Sequence, residues 1–413
     1  MKNIKHASIL FALILVCGMS AHAQDAKAIF DRAASQFSAK QYEAAIASYR
    51  EYLVKVPTES AAYYNIGLCY FNLGRYEEAL PAFKDSIRYK SDYANAYRYL
   101  GASYYELKRY EEAVGAYQNA VRYKPDLVVA HIYLGNSLDY LKRYNEAVAA
   151  YMKAIEYDPK NAEAYSELGV AHKRQNNLPA AAQAYERSIA LNPTDARTHY
   201  LLGVVYKQQK RTDDAIKVFQ KAIALGHKDG NAQYELAVLL RRKNMDSEAV
   251  TLLKEATRLN PKFTLAYIEL GKAYNTLKLH SNAITALEEA IRLNPKSEEA
   301  YANLGNSYYN DNRFTESIPH YKKAIELSPK WVLIHGFLGD AYLNSKQYSL
   351  ALAAYNGALA IDAKDAAAVY GIGLVYISQK NFALAQTQKT KLDVLDPGMA
   401  SKLQDKIDAL KSK

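Results

Sequence analysis

The sequence predicts an all-α protein, a right-handed α-solenoid superhelix of eleven 34-residue helical hairpins closed by a C-terminal capping helix. Three observations carry that expectation. Glycine recurs at Gly67, Gly101, Gly135, Gly169, Gly203, Gly271, Gly305, Gly339 and Gly373, always 34 residues apart or twice that, with Ala237 filling the gap. A second small residue follows twelve positions later each time, at Ala79, Ala113, Ala147, Ala181, Ala215, Ala249, Ala283, Ser317, Ala351 and Ala385. Most prolines keep the same interval, at Pro57, Pro125, Pro159, Pro193, Pro261, Pro295, Pro329 and Pro397, each 24 residues beyond its small residue. The units therefore start at residues 26, 60, 94, 128, 162, 196, 230, 264, 298, 332 and 366, and no insertion interrupts them.

The elements follow in chain order. Residues 1–23 read as a secretory signal peptide, with Lys2 and Lys5 ahead of an apolar run from Ile9 to Val16 and a small-x-small end at Ala21-His22-Ala23. That run is shorter than the roughly 18–20 apolar residues a membrane span needs, and no later segment reaches that length. Cleavage after Ala23 removes two lysines and no acid, lowering the net charge from +10 to +8. Of the two cysteines only Cys69 then remains, so the mature chain forms no internal disulfide and its stability rests on packing. Tyrosine, at 37 residues, far outnumbers phenylalanine at 10. A tyrosine ring packs while its hydroxyl stays wet, which suits half-exposed helix faces.

Residues 24–399 form the repeat array. In the unit from Ala94 to Leu127, Tyr97, Leu100, Gly101 and Tyr104 share one helical face, and so do Ala113, Tyr117 and Ala120 in the following segment. The polar Lys108-Arg109 step separates the two helices, and proline ends the second. One hairpin cannot cover its own apolar face, whereas stacked neighbours bury a continuous core. The small residues let two helix backbones approach at their crossing. In the tail, residues 400–413, Leu403, Ile407 and Leu410 form one apolar stripe, and Ile407 stands where earlier units carry glycine. This tail reads as the capping helix.

A small residue, an aromatic three later, alanine twelve later, an aromatic four beyond that, alanine and then proline is a pattern that resembles the tetratricopeptide repeat. The resemblance covers residues 26–399, with departures in the terminal units at Tyr52, Lys389 and Leu392. It implies that the face of each first helix opposite the core lines a concave groove where a partner binds. Two ligand modes of the family are not matched. The lysine and asparagine clamp of chaperone-tail binders would fall on Arg98, Ala102, Tyr133, Glu163 and Glu167, and the asparagine ladder of certain glycosyltransferases on Asn65, Tyr99, Tyr133, Glu167, Leu201, Glu235 and Glu269.

Three groups of groove residues stand out. Tyr64, Phe71, Tyr99, Tyr105, Tyr133 and Tyr140 form an aromatic strip over units two to four, either an interface hot spot or bulky side chains packing on one another. On the binding reading, Tyr99, Tyr105 and Tyr133 can be replaced by alanine with melting nearly unchanged. Lys173, Arg174, Lys207, Arg241 and Arg242 form a basic step, suited to an acidic partner or simply to the negative end of a helix dipole. Asn303, Asn306 and Asn310, with Asn275 and Asn344 nearby, can donate to and accept from an extended peptide backbone, or present a merely solvated face.

No catalytic residue, cofactor or metal site is expected. The glycines are explained by the 34-residue interval, the histidines are scattered, and Glu163, Glu167 and Glu235 interrupt the basic step against nucleic acid. The expected function is a non-catalytic scaffold of the bacterial cell envelope, periplasmic after export, that binds a partner protein or peptide, an acidic one included. The alternatives are a glycan-binding or polysaccharide-export module using the groove tyrosines, and a regulatory subunit of a separate envelope enzyme.

Overall fold

The computed structural model describes residues 24–411, so the expected signal peptide lies outside the described residues. All regular structure among them is helical, and the chain is an α-solenoid of helical hairpins. It divides into two compact units at Lys210 and Arg211. The hairpins repeat one pattern, seen in the third. A first helix, Ala94–Glu106, turns into a second, Tyr110–Tyr123, and the next hairpin opens at Val128.

The turn inside each hairpin is a glycine-type cap built largely without glycine. Lys108 adopts φ 59°, its N–H donates to the Tyr105 carbonyl, and the Arg109 N–H donates to the Tyr104 carbonyl. Those two bonds are the Schellman arrangement that satisfies the last carbonyls of a helix. Lysine or asparagine takes the same left-handed conformation in ten hairpins, from Lys40 to Lys380, and glycine only at Gly74.

Between hairpins, proline sits second in a tight turn, as where the Asn161 N–H donates to the Asp158 carbonyl across Pro159. The proline carbonyl gains a partner of its own. His131 Nε2 lies 2.8 Å from the Pro125 carbonyl, His199 and His335 make the same contact with Pro193 and Pro329, and the Tyr63 hydroxyl donates to Pro57. These histidines brace the turn. Tyr97, at the same place in its unit and expected in the core, is half-exposed and stacks on the exposed Tyr123 at 5.6 Å. Before the helix Asn231–Arg242, whose preceding turn lacks proline, Gly226 and Gly230 take φ 83° and 78° and the preceding helix stops at Ala224, whereas the turns at Ser91 and Ala363, also without proline, keep their bonds from the Tyr93 and Asp365 N–H to the Lys90 and Asp362 carbonyls.

The core lies between the two helices of a hairpin and the next. Alanines such as Ala79, Ala113, Ala147, Ala283 and Ala351 are wholly buried. A Cβ on Gly135 would lie 2.5 Å from the Tyr151 ring, and one on Gly339 would lie 2.5 Å from Tyr355, so only glycine allows these crossings. The final helix, Pro397–Lys411, starts three residues ahead of the expected boundary because Pro397 opens it, and a first-turn proline forfeits no hydrogen bond. Its Leu403 and Ile407 are fully buried, Leu403 filling the space above Gly373.

Candidate functional site

In the first unit the aromatic strip is an interlocked packing of rings. Tyr99 stacks on Phe83 at 5.9 Å and meets Phe71 and Tyr64 edge-on at 5.4 and 5.9 Å, while Tyr64 lies 4.9 Å from Tyr93. The Arg98 guanidinium sits 3.9 Å over the Tyr99 ring. Burial raises the pKa of the Tyr64 hydroxyl, and Arg98 acts against that rise. A second cluster joins Tyr105 to Tyr133 at 5.5 Å and to Tyr140 at 5.8 Å, with Tyr140 stacked flat on Tyr110 at 4.5 Å. Of the six strip residues only Tyr140, 59% exposed, is open to solvent; the others are half-buried against the core. Ring contacts of this kind add about 0.5–1.5 kcal/mol each beyond burial. These contacts weigh against the expectation that Tyr99, Tyr105 and Tyr133 could go without loss of stability. The half-burial of Tyr64, Tyr99, Tyr105 and Tyr133 leaves less open ring face for sugar stacking.

The basic step is threaded with carboxylates. In the first unit Arg174 lies 3.8 Å from Asp139 and Arg197 pairs with Glu167 at 2.8 Å, while Lys173 and Lys207 are half-buried. In the second unit Arg241 pairs with both Asp246 and Glu269, and Lys272 with Glu269 and Glu299. Arg242 is exposed. Neighbouring carboxylates partly offset the charge of Arg174 and Arg241.

The asparagines come together with Arg241. A cavity of ≈ 410 Å³ in the second unit is lined by Arg241, Lys272, Asn275 and Thr276 from two first helices, Asn303, Asn306, Tyr309 and Asn310 from the helix Glu298–Asn310, and then Tyr321, Phe337 and Asp340. Such a volume lies within the range of ligand sites. Asn303 donates to the Glu299 carbonyl and Asn306 accepts from the Tyr321 hydroxyl at 2.8 Å, which leaves the amide oxygen of one and the amide nitrogen of the other to an occupant. Asn275 donates to Ser307, and Asn344 donates to the Tyr309 hydroxyl. Asp340 is half-buried and accepts from the Tyr355 hydroxyl at 2.6 Å. Burial raises its carboxyl pKa, and the Tyr355 bond only partly opposes this.

Sequence reasoning missed Asp340, Tyr309 and Phe337, though the register held the signal. Tyr309 stands four residues after its glycine, where Phe71 and Tyr105 stand, and Phe337 two before, the place of Tyr99 and Tyr133. No group of histidine, cysteine, aspartate and glutamate that could hold a metal ion occurs among the described residues.

Family models of the tetratricopeptide repeat match residues 60–93, 298–330 and 337–388. The model of the cilia and flagella-associated protein 70 C-terminal domain matches residues 82–303, more than half of the chain. The chain belongs to the tetratricopeptide repeat family. No curated protein matches it. Among solved structures this tetratricopeptide array is similar to pilF of Pseudomonas aeruginosa, at 22% identity and TM-score 0.46 over 50% of this chain and 94% of that one. It is similar to the APC/C hetero-tetramer Cut9-Hcn1 at 17% identity and TM-score 0.45, over 91% and 95%. YrrB, described as a TPR protein with an unusual peptide-binding site, is 24% identical at TM-score 0.43, over 45% and 96%. Arrays of this family are in general non-catalytic scaffolds for protein interaction, and no helix among the described residues is long and apolar enough to cross a membrane.

Proposed function

We propose that this tetratricopeptide array is a non-catalytic scaffold of the bacterial cell envelope, exported by way of residues 1–23, that holds an extended segment of a partner protein along its first-helix faces. The observation that carries the reading is the ≈ 410 Å³ cavity in which Asn303, Asn306 and Asn310 converge with Arg241. Amide side chains both donate and accept, so a row of them matches the alternating N–H and C=O groups of an extended chain. Arg241, paired with Asp246 and Glu269, adds orientation without demanding a strongly charged ligand.

The test is site-specific photo-crosslinking from position 310, whose asparagine is exposed, in the native envelope. One partner protein should be captured from that position and lost when Asn303→Ala is added. Capture of the same proteins from a position on the opposite helix face would sink the groove reading. Fractionation of cells with and without residues 1–23 tests the export part separately: both forms remaining in the cytoplasm would refute it.

A further inference from the structure

Asp340 differs from its counterparts in the array. Four carboxylates set on first-helix faces or beside them have a cation: Asp139 has Arg174, Glu167 has Arg197, and Asp246 and Glu269 share Arg241. Asp340 has none among the described residues, and its carboxylate accepts one hydrogen bond there, from the neutral Tyr355 hydroxyl. A desolvated carboxylate without a counter-charge is costly, so a cation brought to it would be held favourably.

The charge is also surplus to the packing. Tyr355 stands in register with Tyr151 and Tyr321, whose hydroxyls bond Asn136 and Asn306 at 2.7 and 2.8 Å, one residue after the crossing glycine, as Asp340 is. An uncharged amide does this work in two other hairpins. The surroundings suit a cation: Tyr321 and Phe337 lie 6.0 Å apart, Tyr309 lines the same cavity, and aromatic faces attract ammonium and guanidinium groups. At the far end of the cavity the Arg241 and Lys272 cluster holds three carboxylates against two cations, so it does not repel a positive ligand.

We propose that Asp340, walled by Tyr309, Tyr321 and Phe337, receives the lysine or arginine side chain of the partner's extended segment, whose backbone the asparagines hold. This rests on the groove reading above. It commits the partner to a basic residue at one position, the reverse of the acidic partner that the lysines and arginines of the sequence favoured.

The experiment selects a random heptapeptide library on the full chain and on its Asp340→Asn variant, with thermal melting of both to confirm folding. Wild type should enrich lysine or arginine at one fixed position, and the variant should lose that preference while keeping the flanking ones. Replacing the selected lysine by norleucine should weaken binding to wild type by about tenfold and leave binding to the variant unchanged. Enrichment without a basic position, or a basic preference that survives in the variant, overturns the assignment of Asp340 and leaves the peptide groove standing. If wild type enriches no peptide at all, both readings fall.

Discussion

At the scale of single residues, the buried tyrosines of the second helices show how one atom's partner decides its worth. The hydroxyls of Tyr117 and Tyr185 are buried without a partner, because Ala102 and Val170 occupy the place that Asn136 holds for Tyr151. An unsatisfied buried hydroxyl costs about 1–3 kcal/mol, so Tyr117→Phe should raise stability by about 1 kcal/mol while Tyr151→Phe lowers it by a similar amount. Urea denaturation of the two variants checks this, and the reverse order would refute the pairing account. Asp340 gives a pH signature of its own. Its folded pKa is raised by burial, so the folded chain binds the proton more tightly than the unfolded one, and stability falls as pH rises from the unfolded value of about 3.9 through the folded pKa. Tyr309, Tyr321 and Tyr355 face it and stay neutral in that window, since burial pushes each of their hydroxyls upward. Asp340→Asn should therefore be at least as stable as wild type at neutral pH and lose its advantage in acid. Equal stability differences at pH 3 and pH 7 would contradict this.

At the scale of elements, the turn inside the hairpin carries strain that the fold tolerates ten times. A left-handed lysine costs roughly 1–2 kcal/mol relative to an ordinary conformation, and glycine avoids the clash although it loses more chain entropy. Lys108→Gly should therefore stabilise the third hairpin by about 0.5–1 kcal/mol, provided the two Schellman bonds persist. A fall in the melting temperature would show that the lysine side chain compensates its own backbone. The helix crossing is the complementary case. Gly135→Leu drives a side chain into the Tyr151 ring, and overpacking of this kind costs about 1–3 kcal/mol, so its denaturation midpoint should drop clearly. The aromatic strip belongs to this scale too: the Tyr99, Tyr105 and Tyr133 triple alanine variant should lose stability because each ring bridges helices.

At the scale of the whole molecule, an array of repeats is stable as a sum of hairpins and their nearest-neighbour interfaces, so its ends need covers. The helix Pro397–Lys411 is such a cover, placing Ala400, Leu403 and Ile407 on Val369, Ala385 and Leu392. Deleting residues 397–413 should expose that cluster, lower the melting temperature and promote self-association visible by light scattering. Unchanged behaviour in both measurements would mean that the last hairpin closes by itself. Each unit also has its own groove character, aromatic in the first and amide-lined in the second. A partner segment threading the second unit alone already meets a complete cavity.

By itself the sequence determined the period, the hairpins, the crossing glycines and the cap, because each of these is a local repeat of residue size or helical spacing that needs no distant partner to be read. It also marked Asn303, Asn306 and Asn310 as one stripe, since three- and four-residue spacing fixes a helix face. Whether a groove side chain is free or spent depends on neighbours that other helices supply, up to 35 residues away, and only the tertiary structure decided that. It spent Arg241 on Asp246 and Glu269, turned Tyr99 and Tyr105 into packing, and left Asp340 among aromatic rings with no cation partner among the described residues. The reason is physical: periodicity sets direction, but burial and charge compensation are properties of the pair and are set only when hairpins stack.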